Sequence, residues 1–102
     1  MAEFVRVVAT SALPPGGCME ALVGDTAVAL FNVDGRYYAI GNTCGHRGGP
    51  LGKGLLDGCE VLCPWHAWSY DVTTGINSNN AELAVPRYEV KVADGEVFVK
   101  LE

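Results

Sequence analysis

Two things are scarce in this chain: histidine, present only at positions 46 and 66, and basic charge, with seven Lys and Arg against twelve Asp and Glu. The resulting formal charge of −5 repels polyanions and argues against nucleic acid as a partner. Apolar residues make up 49% of the chain, yet no run approaches the roughly 18 residues of a membrane span. No membrane association is expected. No helical periodicity of convincing length occurs, and no repeat, low-complexity tract or linker interrupts the 102 residues, which suffice for one domain with a real core and not for two. The opening stretch MAEFVRVVAT has one arginine, alternating apolar residues and no small-residue cleavage site after an apolar block. It reads as a first strand rather than a signal peptide, so a cytoplasmic location is expected.

What the chain does have is short β-rich runs punctuated by thirteen glycines and five prolines, the pattern of an all-β protein. Strands are expected at Phe4–Ala9, Cys18–Val23, Thr26–Val33 and Arg36–Ile40. Asp34-Gly35 is a tight-hairpin signal, because both central residues of a type I′ turn need positive φ. A second hairpin of this kind joins Tyr88–Val92 to Val97–Leu101 through Ala93-Asp94-Gly95, with Val97, Val99 and Leu101 on one face. The middle differs. Gly41–Gly58 reads GNTCGHRGGPLGKGLLDG, seven glycines with almost no alternation, and a loop of that length inside a small domain is uncommon unless it is functional. Glu60–Cys63 is a short strand into CPWHAW, and Ser69–Asp71 leads out to the turn Thr73-Thr74-Gly75. The expected picture is a β-framework holding two facing loops.

Each loop carries one cysteine and one histidine: Cys44-Gly45-His46, then sixteen residues, then Cys63-Pro64-Trp65-His66. Four cysteines in an intracellular chain favour metal ligation over a disulfide framework. Cys18 and Cys59 have no histidine companion and read as small buried hydrophobes, with strand alternation putting Cys59 on the same face as Cys63. A structural zinc ion takes ligands two to four residues apart; the C-x-x-H half fits that spacing and the C-x-H half does not. A two-iron cluster relaxes the constraint, since neighbouring ligands need not converge on one atom, and His₂/Cys₂ ligation of a 2Fe–2S centre is known chemistry. A Cys/His nucleophilic pair leaves unexplained why the pairing occurs twice, and no Asn or Asp stands at an obvious orienting position. Cluster sulfur needs backbone N–H donors nearby, and Gly45, Gly48 and Gly49 allow such an approach. Pro50 and Pro64 stiffen the loops and limit rearrangement between redox states.

The pattern C-x-H-x16-C-P-W-H followed by A-W-S-Y-D-x-x-T-G resembles the Rieske iron–sulfur family, above all the small Rieske-type ferredoxins of bacterial ring-hydroxylating oxygenase systems. The likeness extends through Pro86-Arg87-Tyr88-Glu89-Val90 to the final D-G-E-V-F-V. It implies the Rieske fold: an antiparallel β-sandwich with base sheets at about 1–40 and 71–102 and an inserted cluster-binding subdomain at about 41–70. It further implies one 2Fe–2S cluster, with Cys44 and Cys63 on the inner iron and His46 and His66 on the outer iron that takes up the electron. The implied partners are a flavin-dependent NAD(P)H ferredoxin reductase as donor and a terminal oxygenase as acceptor. The chain itself would be a monomeric electron carrier rather than an enzyme, since it lacks a substrate-pocket motif and a mononuclear iron triad. Two deprotonated thiols (−2) and an oxidised two-iron, two-sulfide core (+2) leave the holoprotein at −5, and one electron takes it to −6, which suits a basic partner face.

High-potential relatives resemble C-T-H-L-G-C … C-P-C-H-G-S, with a disulfide between the loops. This chain has Gly49 and Trp65 at the disulfide positions and Trp68 where those relatives have a sulfide-bonding serine, while Tyr70 keeps a tyrosine that can donate to the Cys63 sulfur. Fewer donors stabilise the reduced cluster less, so a potential near the low end of the Rieske range, roughly −150 mV, is expected. Trp65 and Trp68 are expected to shield the cluster by packing, Arg47 and Lys53 to be solvated, and Asn77-Ser78-Asn79-Asn80 to be a plain surface loop. Other readings stay open at this point: a small Rieske-like subunit of an assimilatory nitrite reductase, a zinc-binding interaction module, and a redox or iron sensor.

Overall fold

The computed structural model describes residues 3–42, 50–64, 68–78, 82 and 84–101. Among these residues nine strands follow in order: β1 Val5–Ala9, β2 Cys18–Val23, β3 Thr26–Val33, β4 Arg36–Gly41, β5 Leu55–Asp57, β6 Glu60–Leu62, β7 Ser69–Asp71, β8 Arg87–Ala93 and β9 Glu96–Lys100. Two 3₁₀ turns, Thr10–Ala12 and Leu51–Lys53, are the only helical elements among the described residues. All strand pairings are antiparallel. Six strands form one sheet in the order β1-β9-β8-β4-β3-β2, and β5-β6-β7 form a second. The all-β, antiparallel expectation is met.

The turns explain the register. Asp34 and Gly35 have φ of 51° and 92°, and Asp94 and Gly95 have 53° and 74°, the doubly left-handed geometry of a two-residue hairpin loop. Asn32, 2% exposed, accepts the Gly35 N–H at 2.7 Å and donates to the Leu13 carbonyl at 2.8 Å. This one side chain therefore ties the Pro-rich loop to the β3–β4 hairpin.

Strand alternation builds two cores, and β3 serves both. Val28 and Leu30 face Leu13, Val23, Ala39, Val97 and Val99. Ala29 and Phe31 face the other way, joining Ile40, Leu51, Val61, Cys63, Tyr70, Val72 and Val85 between the sheets. All four residues Val28–Phe31 are fully buried. That is why β3 reads as a continuous apolar run rather than an alternating one. Each large side chain so buried contributes about 1.5–3 kcal/mol relative to exposure.

Leu51–Asp57 differs from expectation. The stretch expected as one loop contains a 3₁₀ turn and β5, which pairs with β6 in the register Leu55↔Leu62, Leu56↔Val61, Asp57↔Glu60. Three residues are too few to display an alternating pattern. The turn between them holds Gly58, at φ 62°, and Cys59, which is exposed. The expectation of a buried Cys59 sharing a face with Cys63 is therefore wrong: the strand starts at Glu60, so alternation does not reach residue 59. Cys18 is half-buried and its thiol donates to the Gly54 carbonyl at 3.1 Å. Asn77 is not plain surface either, and Ser78, exposed as expected, is nonetheless tied down. Asn77 is 2% exposed and bridges to Tyr70, while Ser78 donates its backbone N–H to Ser69 O and its hydroxyl to Glu60. Asn79 and Asn80 lie outside the described residues.

Candidate functional site

The strands end in two clamped loop bases, and the register dictates which side chains face the space between the sheets. Val61 pairs with Leu56 and Tyr70, and the Cys63 N–H donates to the Trp68 carbonyl at 2.8 Å. Alternation then puts Leu56, Val61, Cys63, Trp68 and Tyr70 on one face of the small sheet. All five belong to the core between the sheets, with Trp68 and Leu56 partly buried. Cys63 is 4% exposed. It sits at the mouth of the second loop, just before the exposed Pro64. Trp65 and His66 lie outside the described residues.

Asn42 governs the base of the first loop. It follows β4, is 7% exposed, and accepts the Leu51 N–H on its carbonyl at 2.7 Å and the Gly52 N–H on Oδ1 at 2.8 Å. Its Nδ2 donates to Glu20 Oε2 on β2 at 2.7 Å. Gly52 lies so close to β2 that a Cβ there would come within 2.7 Å of Glu20 N and of the Met19 carbonyl carbon. Lys53 is 70% exposed and 3.8 Å from Glu20, a contact worth little in water. Cys44, His46, Arg47, Gly45, Gly48 and Gly49 lie outside the described residues. Leu51, which leaves this loop, and Cys63, which opens the other, are buried in the same apolar cluster. One sequence-predicted site residue, Cys63, is thus placed at the end of the core between the sheets. The sequence reading missed Asn42 and Glu20; an asparagine at a strand end before a glycine-rich run looks like ordinary loop.

Among the described residues no helix is long and apolar enough to cross a membrane. No group of three or more His, Cys, Asp and Glu side chains able to hold a metal occurs among them. Burial pushes the Cys18 thiol above its ordinary value, so Cys18 is a neutral hydrogen-bond donor rather than a thiolate.

Comparison with known proteins places this geometry. Residues 3–89 match the Rieske [2Fe-2S] domain. The chain belongs to the Rieske family. It is 33% identical over 98 residues to Ferredoxin CarAc of Metapseudomonas resinovorans, covering 94% of this chain and 92% of that protein. A chain in the complex of reduced oxygenase and oxidized ferredoxin in carbazole 1,9a-dioxygenase superposes with a TM-score of 0.85 at 34% identity, over 94% of this chain and 91% of that one. A protein assigned as the small subunit of an NADH-dependent nitrite reductase in Mycobacterium tuberculosis superposes with a TM-score of 0.92 over 100% and 97% of the two chains. At 24% identity that likeness concerns the fold alone.

The cofactor of a Rieske domain is a 2Fe–2S cluster, and the described part of the site fits one. A thiolate at the 4%-exposed position of Cys63 is a buried anion, which is costly unless a cation or several donors face it. Ligation to iron meets that requirement. The two loop bases, each closed by a backbone hydrogen bond at the edge of one rigid core, suit a centre whose ligands must move little.

Proposed function

We propose that Cys44 and Cys63 hold the inner iron of one 2Fe–2S cluster, and His46 and His66 the outer iron. The chain then carries single electrons from a flavin-dependent NAD(P)H ferredoxin reductase to the terminal oxygenase of an aromatic-ring oxygenase system. In this reading it is a cytoplasmic monomer, a carrier rather than an enzyme, with the cluster-binding subdomain at about 41–70 and the base sheets at about 1–40 and 71–102. The observation that carries the reading is the full-length likeness to a ferredoxin, 33% identical with 94% of this chain and 92% of that protein aligned. The paired C-x-H and C-P-W-H motifs support it, and Leu51, five residues after the first, and Cys63, which opens the second, belong to one core.

When bound, the cluster supplies a site that takes up and gives back one electron. The chain's own residues do the rest. Cys63 keeps its sulfur out of water, Trp68 and Tyr70 pack the wall behind it, and the hydrogen bonds closing each loop base resist movement between redox states. Because a nicotinamide delivers two electrons and the carrier takes one, each oxygenation needs two visits. The acidic surface steers the carrier to basic partner faces and makes the encounter rate fall as salt rises.

The test is reconstitution. The purified holoprotein, mixed with NADH, a flavin-dependent reductase and ring-hydroxylating oxygenases in turn, is expected to support product formation that stops when it is omitted. Efficient coupling to a sirohaem nitrite reductase subunit, with no oxygenase served, would replace this reading with the nitrite-reductase one. A colourless protein holding one zinc and no acid-labile sulfide would end both.

A further inference from the structure

We propose that Asn42 is the positioning residue of the loop that carries Cys44 and His46, and that Glu20 on β2 holds it in that role. The inference rests on the reading of those two residues as cluster ligands. Asn42 stands two residues before Cys44 and is 7% exposed. Its backbone carbonyl receives Leu51 N–H and its Oδ1 receives Gly52 N–H, so one residue ties the entry of the loop to its exit. Its Nδ2 donates to Glu20 Oε2 and thereby pins the tie to β2, the edge strand of the six-stranded sheet that also contains β4. The close approach of Gly52 to the Met19–Glu20 backbone sets the exit, a 3₁₀ turn, tightly against β2.

The chemistry at position 42 is demanding. The side chain must accept from a buried backbone N–H and donate to a carboxylate at the same time, from a short stem. Asparagine does both. Aspartate keeps the acceptor but sets its second oxygen against Glu20 at the 2.7 Å contact, so the two carboxylates repel each other unless one of them takes up a proton. Glutamine at position 20 restores the donor from the opposite side, since its amide can donate to the carboxylate introduced at position 42. Loss of the tie frees the loop to move before the cluster is bound, and that freedom must be given up again on loading. Among the described residues Lys53 is a charged neighbour of Glu20, and that residue is largely solvated.

The experiment compares holoproteins of the wild type, Glu20→Gln, Asn42→Asp, the double variant that combines both changes and, as a ligand control, Cys44→Ser. Two readouts are taken well below the melting temperature: the rate at which an iron chelator bleaches the visible absorption, and the g-value spread of the dithionite-reduced paramagnetic signal. Asn42→Asp is expected to bleach about tenfold faster than the wild type with a changed g spread, the double variant to recover to within about threefold, and Glu20→Gln alone to stay within about threefold. If Asn42→Asp does not accumulate in loaded form, recovery of a loaded protein in the double variant carries the same meaning and its absence the opposite one. A wild-type bleaching rate and spectrum in Asn42→Asp, with at most a lower melting temperature, would show a merely structural asparagine and overturn the inference. So would a double variant no better than Asn42→Asp alone. Retention of the wild-type signal in Cys44→Ser would sink the ligand assignment instead, whereas its loss beside an unaffected Asn42→Asp removes only the role of Asn42.

Discussion

Gly54 lies where the 3₁₀ turn meets β5, and replacing it with alanine tests how tightly the small sheet is built. Its φ of −79° is open to any residue, so no backbone strain is involved. The obstacle is steric: an added Cβ would sit 2.1 Å from the Leu62 carbonyl oxygen, 3.0 Å from Val61 Cγ2 and 3.1 Å from Leu51 O. Two of these neighbours are backbone and cannot rotate away. Relief requires the chain at Gly54 to back off from β6, which loosens the Gly54 N–H to Leu51 O bond at 3.0 Å and the Cys18 thiol bond to Gly54 O at 3.1 Å. Overpacking of this kind costs about 1–3 kcal/mol, and weakening the two hydrogen bonds without losing them adds about 1 kcal/mol, giving roughly 2–4 kcal/mol in all. For a domain near this size that lowers the melting temperature by roughly 10–25 °C. Gly58→Ala is the comparison. Gly58 has φ 62° with nothing within 4 Å of an added Cβ, so only left-handed strain of roughly 1 kcal/mol applies. Since a bound cofactor breaks two-state behaviour, the ranking of loaded variants by circular dichroism and visible absorption under one condition is the measure. A Gly54→Ala protein that melts no lower than Gly58→Ala would refute the steric argument.

Four further outcomes are expected. Cys18 has a thiol raised by burial, so the stability it contributes is present below the ordinary thiol value and lost as pH climbs through the raised one. Cys18→Ser keeps a donor to Gly54 and does not titrate there, so its stability should fall less steeply in the alkaline range, and identical slopes for the two proteins would count against this. Exposed Cys59 should be the first position alkylated by iodoacetamide in the loaded protein, with visible absorption unchanged, as peptide mass spectrometry can establish; preferential labelling of Cys18 would contradict it. A redox titration should place the midpoint near the low end of the Rieske range, roughly −150 mV. Tyr70→Phe should lower it further, on the order of 40 mV for about 1 kcal/mol of lost hydrogen bonding to the reduced site, and a midpoint well above zero would be incompatible with the argument from sulfur donors.

Much of the architecture is legible in the residues because hairpins punctuated by Asp-Gly leave few alternatives. The bounds of β2 and β3 coincide with the expected ones, β1, β4 and β6 differ from theirs by one residue at one end, and β8 and β9 by one residue at each end, while Ser69–Asp71, expected only to lead out to a turn, is β7. Both Asp-Gly pairs adopt the left-handed conformations that their chemistry requires. Local pattern fails where long-range packing decides. β5 is held by β6 and by the tight approach of Gly54 to Leu62, none of which shows in a glycine-rich string. Asn77 looks like surface because it begins a polar run, yet Tyr70 draws it under cover. The spacing of cysteines and histidines points to the cluster, while the asparagine that ties its first loop carries no signal of its own. Its role depends on Glu20, twenty-two residues earlier in the chain.

The double burial of β3 also bears on how this protein can diverge. Val28, Ala29, Leu30 and Phe31 are hemmed in from above and below, so a change of volume at any of them must be absorbed by two compartments whose interiors pack like crystals. The outer side of β8, β9 and β1 is under no such restriction, with Lys91 resting over the Phe4 and Phe98 rings in reach of solvent. Mutational drift should therefore be slowest along the buried strand and fastest across that open side, where new surface chemistry can be acquired without disturbing the redox end of the molecule.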